Sequence, residues 1–361
     1  MKNLQMKHLR ISVLCTAVSL AIAAIPVGSA QAEIQRQDFN VQSEPGIELH
    51  VREVWDSADT DSKPPIILIH GARVPGIASF DLPVVGGSLA ADLAQAGHRV
   101  FVMNVRGYGS STRLGQDGSR EGEPLVNSNE VVRDIGAVVQ AIAERTANSD
   151  VALLGWATGG HWAGMYASLH PETVSHLIMY NALYGAHEGH ENLGRGSSLS
   201  APNDANRFNT ARFGAYRLNT ADSLLPSWDR AIPVEDKAEW RDPEVAEAYQ
   251  RVALASDPTS ESRNPPSFRA PSGAMEDSFY LALGRQLWDA ATITARVLII
   301  RSENDFWSRP EDVTTLQAHL VNAVEVEAVK LQGATHHVHL DRGEKGRDAF
   351  LETVTRFLAV Q

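Results

Sequence analysis

The segment Val151-Ala152-Leu153-Leu154-Gly155-Trp156-Ala157-Thr158-Gly159-Gly160 joins a four-residue apolar run to a glycine-rich turn, and a helical pattern from Trp162 to Leu169 follows. An apolar run without polar alternation describes a strand buried on both faces, the mark of a parallel sheet covered by helices. Outward from it, Ile66 to Ile69 is a second such run, bounded by Pro64-Pro65 and His70-Gly71, and Arg99 to Val105 is a third. A short helix is predicted over Ser88 to Gly97. The apolar spacing of Val131, Val132, Ile135, Val138, Val139 and Ile142 predicts a longer one within Asn127 to Ala147. Strands are predicted over Val174 to Tyr180, Arg296 to Arg301 and Val324 to Leu331, helices over Pro310 to Asn322 and Gly346 to Val360, and an extended lead over Ile47 to Trp55. Strands alternating with helices imply an α/β protein with a mostly parallel, doubly wound sheet.

Between about Leu183 and Ala291 the alternation stops. This stretch is rich in Gly, Ser, Asn and Pro, yet it also holds Trp228, Trp240, Trp288, Tyr216, Tyr249 and Tyr280. A structureless loop of that length is improbable, so the aromatics are read as the core of an inserted, partly helical cap. The expected organisation is a signal peptide over residues 1–32, a sheet core over 33–182 and 292–361, and a cap over 183–291.

The signal peptide is read from Lys2, Lys7 and Arg10, the apolar stretch Ile11 to Ile25, and the small-x-small triplet Ala30-Gln31-Ala32, which places cleavage before Glu33. The apolar stretch is shorter than the roughly 20 residues a membrane span needs and is broken by Ser12, Thr16 and Ser19. The mature protein is therefore expected in the periplasm or outside the cell, free of the membrane. The only cysteine, Cys15, leaves with the signal, so neither disulfides nor thiolate zinc sites are available. The 361 residues carry 32 Lys and Arg against 44 Asp and Glu, a net charge of -12, which disfavours nucleic acid as a partner. A small-molecule substrate is the expected partner.

Three features at strand ends carry chemistry, in the place where open parallel sheets put their sites. The first is the turn Gly155 to Gly160, with the strand-turn-helix setting of a G-x-S-x-G elbow but Ala157 at its centre. A methyl group cannot attack a carbonyl. The second is Ser302-Glu303-Asn304-Asp305, where a carboxylate can orient an imidazole; Asp305 lies a turn beyond the strand end and is the better candidate, with Glu303 in reserve. The third is Gly333-Ala334-Thr335-His336-His337-Val338-His339, whose His336 can serve as general base. His337, His339 and Asp341 resemble an H-x-H-x-D metal motif only superficially, since no further ligands accompany them; no metal and no cofactor are expected.

In the order Ala157, Asp305, His336 the chain resembles the α/β-hydrolase superfamily over essentially all its mature length, in the sequence nucleophile, acid, base. His70-Gly71 and Asn104-Val105-Arg106-Gly107-Tyr108-Gly109-Ser110-Ser111 support the resemblance; the latter is similar to the D-x-R-G-x-G-x-S turn with Asn for Asp. Gly333 to Asp341 looks like the G-x-G-H loop with Thr335 for the second Gly. The resemblance implies the α/β-hydrolase fold, a cap over the site, and an oxyanion hole from the backbone N–H groups of Ala72 and Thr158. Substrate-binding candidates are Trp156, Tyr184 and Trp307, in keeping with a moderately large apolar or aromatic substrate, and Arg73, which could pair with a substrate carboxylate. For Arg73 a solvated or salt-bridged surface position is the simpler expectation.

The implied activity is that of an exported serine hydrolase, foremost a carboxylic-ester hydrolase, with amidase or lactonase as alternatives. Ala157 departs from it. Either a serine has been replaced, as in a substrate-trapping variant, or the chain is a natural binding pseudoenzyme. The retained acid, base, oxyanion positions and cap favour the first, because a pure binding protein needs no oriented Asp-His pair.

Overall fold

Strand β3 (Ile66–Ile69) shows why the apolar runs are unbroken: all four residues are buried, Ile67 and Ile69 in the core on one face of the sheet and Ile66 and Leu68 in the core on the other. The computed structural model describes Met1 and residues 33–58, 63–115, 122–185 and 187–360. The expected signal segment, with Cys15, lies outside the described residues. The sheet has eight strands: β1 (Ile34–Glu44), β2 (Ile47–Asp56), β3, β4 (Val100–Met103), β5 (Val151–Trp156), β6 (Val174–Tyr180), β7 (Arg296–Asn304) and β8 (Glu325–Thr335). Their spatial order is β1-β2-β4-β3-β5-β6-β7-β8. The β1/β2 and β2/β4 pairs are antiparallel and every other neighbour is parallel.

Helices cover both faces. Helices α1 (Gly76–Phe80), α2 (Leu89–Gln95), α3 (Ser128–Thr146) and α4 (Thr158–Leu169) follow in the first half. Val131, Ile135 and Val138 of α3 and Trp162 and Tyr166 of α4 pack with Ile67 and Ile69, while Leu89 and Leu93 of α2 pack with Ile66 and Leu68. Glu130 and Asn127 form a capping box that starts α3.

The stretch between β6 and β7 contributes no strand to the central sheet. It contains α5 (Leu225–Ala231), α6 (Pro243–Ala255), α7 (Gly273–Ala282) and two small antiparallel pairs, Ser200–Ala201 with Asp204–Phe208 and Tyr216–Asn219 with Phe268–Pro271. Its aromatic core forms where Trp228, Tyr249 and Phe268 meet Val74 before α1, Ala78 within it and Leu340 beyond β8. Two helices close the chain, α8 (Pro310–His319) and α9 (Arg347–Leu358); Phe350, Val354 and Phe357 of α9 bury against the face that α2 covers. Among the described residues no helix is long and apolar enough to cross a membrane.

Candidate active site

The turn after β5 holds Ala157 at φ 53, ψ -117, a conformation that a residue with a Cβ rarely adopts. Its neighbours explain how it is enforced. A side-chain carbon on Gly159 would stand 2.1 Å from the Ile69 carbonyl, and one on Gly155 would stand 2.3 Å from the Gly159 carbonyl. Strand, turn and helix therefore approach more closely than any other residue permits. The Ala157 N–H donates to Tyr180 O at 3.0 Å, which ties the turn to the end of β6.

Beside it, His70 fastens the loop after β3. Its Nε2 accepts from the Val105 N–H at 3.2 Å, which leaves the ring proton on Nδ1 to donate to Gly71 O at 2.7 Å. Burial pushes this imidazole down to about 4, so it is neutral. The Ala72 carbonyl accepts from Tyr108 Oη at 2.6 Å and from Arg217 Nη2 at 3.0 Å. The N–H groups of Ala72 and Thr158 have no acceptor among the described residues, and both residues line one cavity with Ala157.

The candidate acid and base meet at this edge. His336 Nδ1 lies 2.6 Å from Asp305 Oδ1, with both side chains buried. Three further donors hold the carboxylate: the Trp307 N–H at 3.1 Å on Oδ1, the Ser308 N–H at 2.7 Å on Oδ2, and the Ser308 hydroxyl. Held by these donors, the Asp305 carboxyl is oriented to accept from Nδ1–H, which places the imidazole proton on Nδ1. Nε2, the basic nitrogen, is left without a protein partner among the described residues. The carbonyl of His336 is pinned by Trp156 Nε1 at 3.0 Å and Asn181 Nδ2 at 3.1 Å. Asn181 also accepts the Ser302 N–H at 2.8 Å, so one side chain links the ends of β6, β7 and β8.

The cavity over Ala157 has a volume of about 180 Å³ and includes His336, Trp156, Trp307, Tyr249 and Met275 among its walls. Trp156 stacks on Tyr180 and stands 5.2 Å, ring to ring, from His336. Ala157, Thr158, Ala72, Arg73, Trp156, Trp307 and His336 thus face one space, with Asp305 behind the imidazole.

Three expectations need correction. Tyr184 does not reach the cavity: its ring packs 4.9 Å from Trp288 and its hydroxyl meets His319 Nδ1 at 3.0 Å, because it falls just past β6 where the chain turns onto the opposite core. Glu303 is no reserve acid, since it is exposed, pairs with Lys330 Nζ at 2.9 Å and accepts the Gly333 N–H; the Lys330 ammonium holds its carboxyl below the usual range. Arg73 is half-buried and forms no salt bridge among the described residues. It lines the cavity and donates to the carbonyls of Ser223 at 3.1 Å and Leu224 at 3.3 Å.

The residues after His336 do not converge on a metal-binding geometry. His337 stacks on Trp228 at 4.7 Å, His339 packs against Trp156 and Phe80, and Asp341 accepts from Trp228 and Thr335. Sequence reasoning missed Asn181, Ser308, Tyr108 and Arg217. Asn181, at φ 51 directly after a strand, carried a readable signal, since Asn tolerates that conformation. Arg217 carried none.

Residues 86–343 match the serine aminopeptidase S33 family of hydrolases. A search of curated protein sequences finds no match. Among solved structures, the chain is similar to E-2-(acetamidomethylene)succinate hydrolase, at 18% identity and TM-score 0.58 over 90% of this chain and 100% of that one. It is also similar to an esterase from Exiguobacterium antarcticum, at 17% identity and TM-score 0.54 over 90% and 100%. The enol-lactonase from Burkholderia xenovorans LB400 matches at 15% identity and TM-score 0.53 over 88% and 99%. At such identities these likenesses show the fold alone. The family match and the order of the strand-end residues agree, and the chain belongs to the serine aminopeptidase S33 family of the α/β-hydrolase superfamily.

Proposed function

We propose that the chain is the frame of an exported carboxylic-ester hydrolase of the Ser-His-Asp type, held in a substrate-binding, inactive form by Ala157. The observation that carries this reading is the 2.6 Å Asp305–His336 pair at the cavity that Ala157 enters from a strained turn. Strain of about 1–3 kcal/mol is typical of functional turns, and at a strand-turn-helix junction facing an Asp-His pair it fits the presentation of a nucleophile. The esterase and enol-lactonase names of two structural neighbours fit the same acyl chemistry.

With serine at position 157, His336 Nε2 would take the hydroxyl proton as the oxygen attacks an ester carbonyl. The N–H groups of Ala72 and Thr158 would receive the oxyanion, and His336 would pass the proton to the departing alcohol. The same imidazole would then deprotonate a water against the acyl-enzyme while Asp305 holds its tautomer. Without the hydroxyl, turnover falls by about 10⁶, the loss seen when a serine protease loses its nucleophile.

The Ala157→Ser protein tests this. It is expected to hydrolyse aryl esters with a burst and to be labelled one-to-one by a fluorophosphonate. Labelling without ester turnover would move the reading to amides or lactones; neither labelling nor turnover would overturn it. Export is checked by intact mass, the mature chain being expected to begin at Glu33.

A further inference from the structure

The cavity walls include two arginines, Arg73 and Arg217, that have no counter-ion among the described residues. Arg217 donates one N–H to Ala72 O, its Nε is buried with no partner, and no carboxylate lies within ion-pair distance among the described residues. Arg73 likewise donates only to carbonyls, those of Ser223 and Leu224. Elsewhere Arg106 is bidentate on Asp134, Arg269 on Asp257, and Arg309 is paired with Asp312; Arg113 donates only to carbonyls, as the two cavity arginines do, but it does not line the cavity. The two cavity arginines sense each other's charge, and burial brings Arg217 down to about 10. Tyr249, a cavity wall beside Arg73, adds a hydroxyl with no protein partner among the described residues.

Buried cations without anions are costly and persist where something supplies the missing charge. Guanidinium groups present planar forks of N–H donors suited to a carboxylate. We infer that Arg73 and Arg217 form a carboxylate subsite, so that the substrate is an ester bearing a free carboxylate at one end and its scissile carbonyl over Ala157. This rests on the ester-hydrolase reading only for the position of the scissile bond. The apolar walls, Trp156, Trp307 and Met275, then accommodate the body of the molecule between its two polar ends.

The chain as it stands permits a binding test that needs no turnover. Calorimetric titration at pH 7 compares N-phenylglutaramic acid with its neutral methyl ester. The acid is expected to bind at least tenfold more tightly. That preference is expected to fall below twofold in both Arg73→Gln and Arg217→Gln, with circular dichroism checking that each variant folds. Equal affinity for acid and methyl ester in the unsubstituted chain, or binding of neither, overturns the subsite. So does a preference that survives both substitutions, which would place the anion in the oxyanion hole instead. If Arg217→Gln fails to fold, the comparison in the unsubstituted chain and in Arg73→Gln still decides. Failure of Ala157→Ser to turn over esters, with the acid preference intact, would sink the hydrolase reading and leave the subsite standing.

Discussion

Arg217, on a strand between β6 and β7, donates to the carbonyl of Ala72 at 3.0 Å, so the loop that carries the proposed oxyanion donor is held by a residue 145 positions away in the chain. Tyr108 Oη holds the same oxygen at 2.6 Å. Tyr108→Phe removes one of two donors and leaves the carbonyl satisfied, so the expected cost is about 1 kcal/mol of unfolding free energy in urea. A loss well above that would mean that Arg217 cannot hold the loop alone.

The acid assignment is tested in the Ala157→Ser background. Asp305→Asn is expected to lower kcat by about 10⁴ with little change in KM, because the two Ser308 donors claim the amide oxygen and the NH2 then faces Nδ1, which favours the wrong tautomer. Glu303→Gln, on the exposed Lys330 pair, is expected to leave kcat unchanged. The reverse pattern would transfer the role to Glu303.

Backbone strain at position 157 has a measurable sign. Glycine adopts φ 53, ψ -117 freely, relieving strain of about 1–3 kcal/mol against an entropic cost of about 0.5–1 kcal/mol. Ala157→Gly should therefore be the more stable protein by about 1 kcal/mol in denaturant titration. Gly159→Ala should behave in the opposite way and lose about 3 kcal/mol or more, since its methyl would meet the Ile69 carbonyl at 2.1 Å. A destabilised Ala157→Gly would remove strain from the account of this turn.

Asp277 gives stability a pH dependence. Burial raises its carboxyl from 3.8 to about 7, against the pull of the Ser128 N–H and hydroxyl that donate to it. Between those values the folded state keeps a proton that the unfolded state has lost, so this group's contribution to stability falls as pH rises toward 7 and is constant above it. His70 and His161, held neutral by burial, act in the opposite direction at acid pH, so the informative quantity is the difference between two proteins. Relative to the parent, Asp277→Asn should gain about 1 kcal/mol per pH unit from pH 4 to 7. Parallel stability curves would show that Asp277 is ionised in the folded state.

What could be read from the sequence was whatever leaves a local pattern. Strands buried on two faces, such as β3, are unbroken apolar runs, and the pairing of Ile67 with Phe101 and Leu153 follows from their place in the middle of the sheet. β1 was missed because it is an edge strand of largely polar and mostly uncovered residues, paired on one side only with β2. Asp305 and His336 were legible because each stands just beyond a readable strand. Tyr184 was misplaced because proximity to a strand end does not say which face the chain turns toward. Arg73 was readable as a substrate-binding candidate from its place beside Ala72; Arg217 is the harder case, since its significance is the lack of a carboxylate around it among the described residues, a property of three-dimensional surroundings that no local pattern records.

The crowding around Gly155 and Gly159 also bears on how this site can change over time. Those positions admit no side chain without moving a backbone, whereas the methyl of Ala157 projects into open cavity. The elbow is thus a rigid mount with a single exchangeable part. On the proposed reading, a one-residue change there would switch the chemistry on or off while the sheet, the imidazole and the ligand walls stay in register, so that loss and recovery of catalysis would be a single mutational step apart.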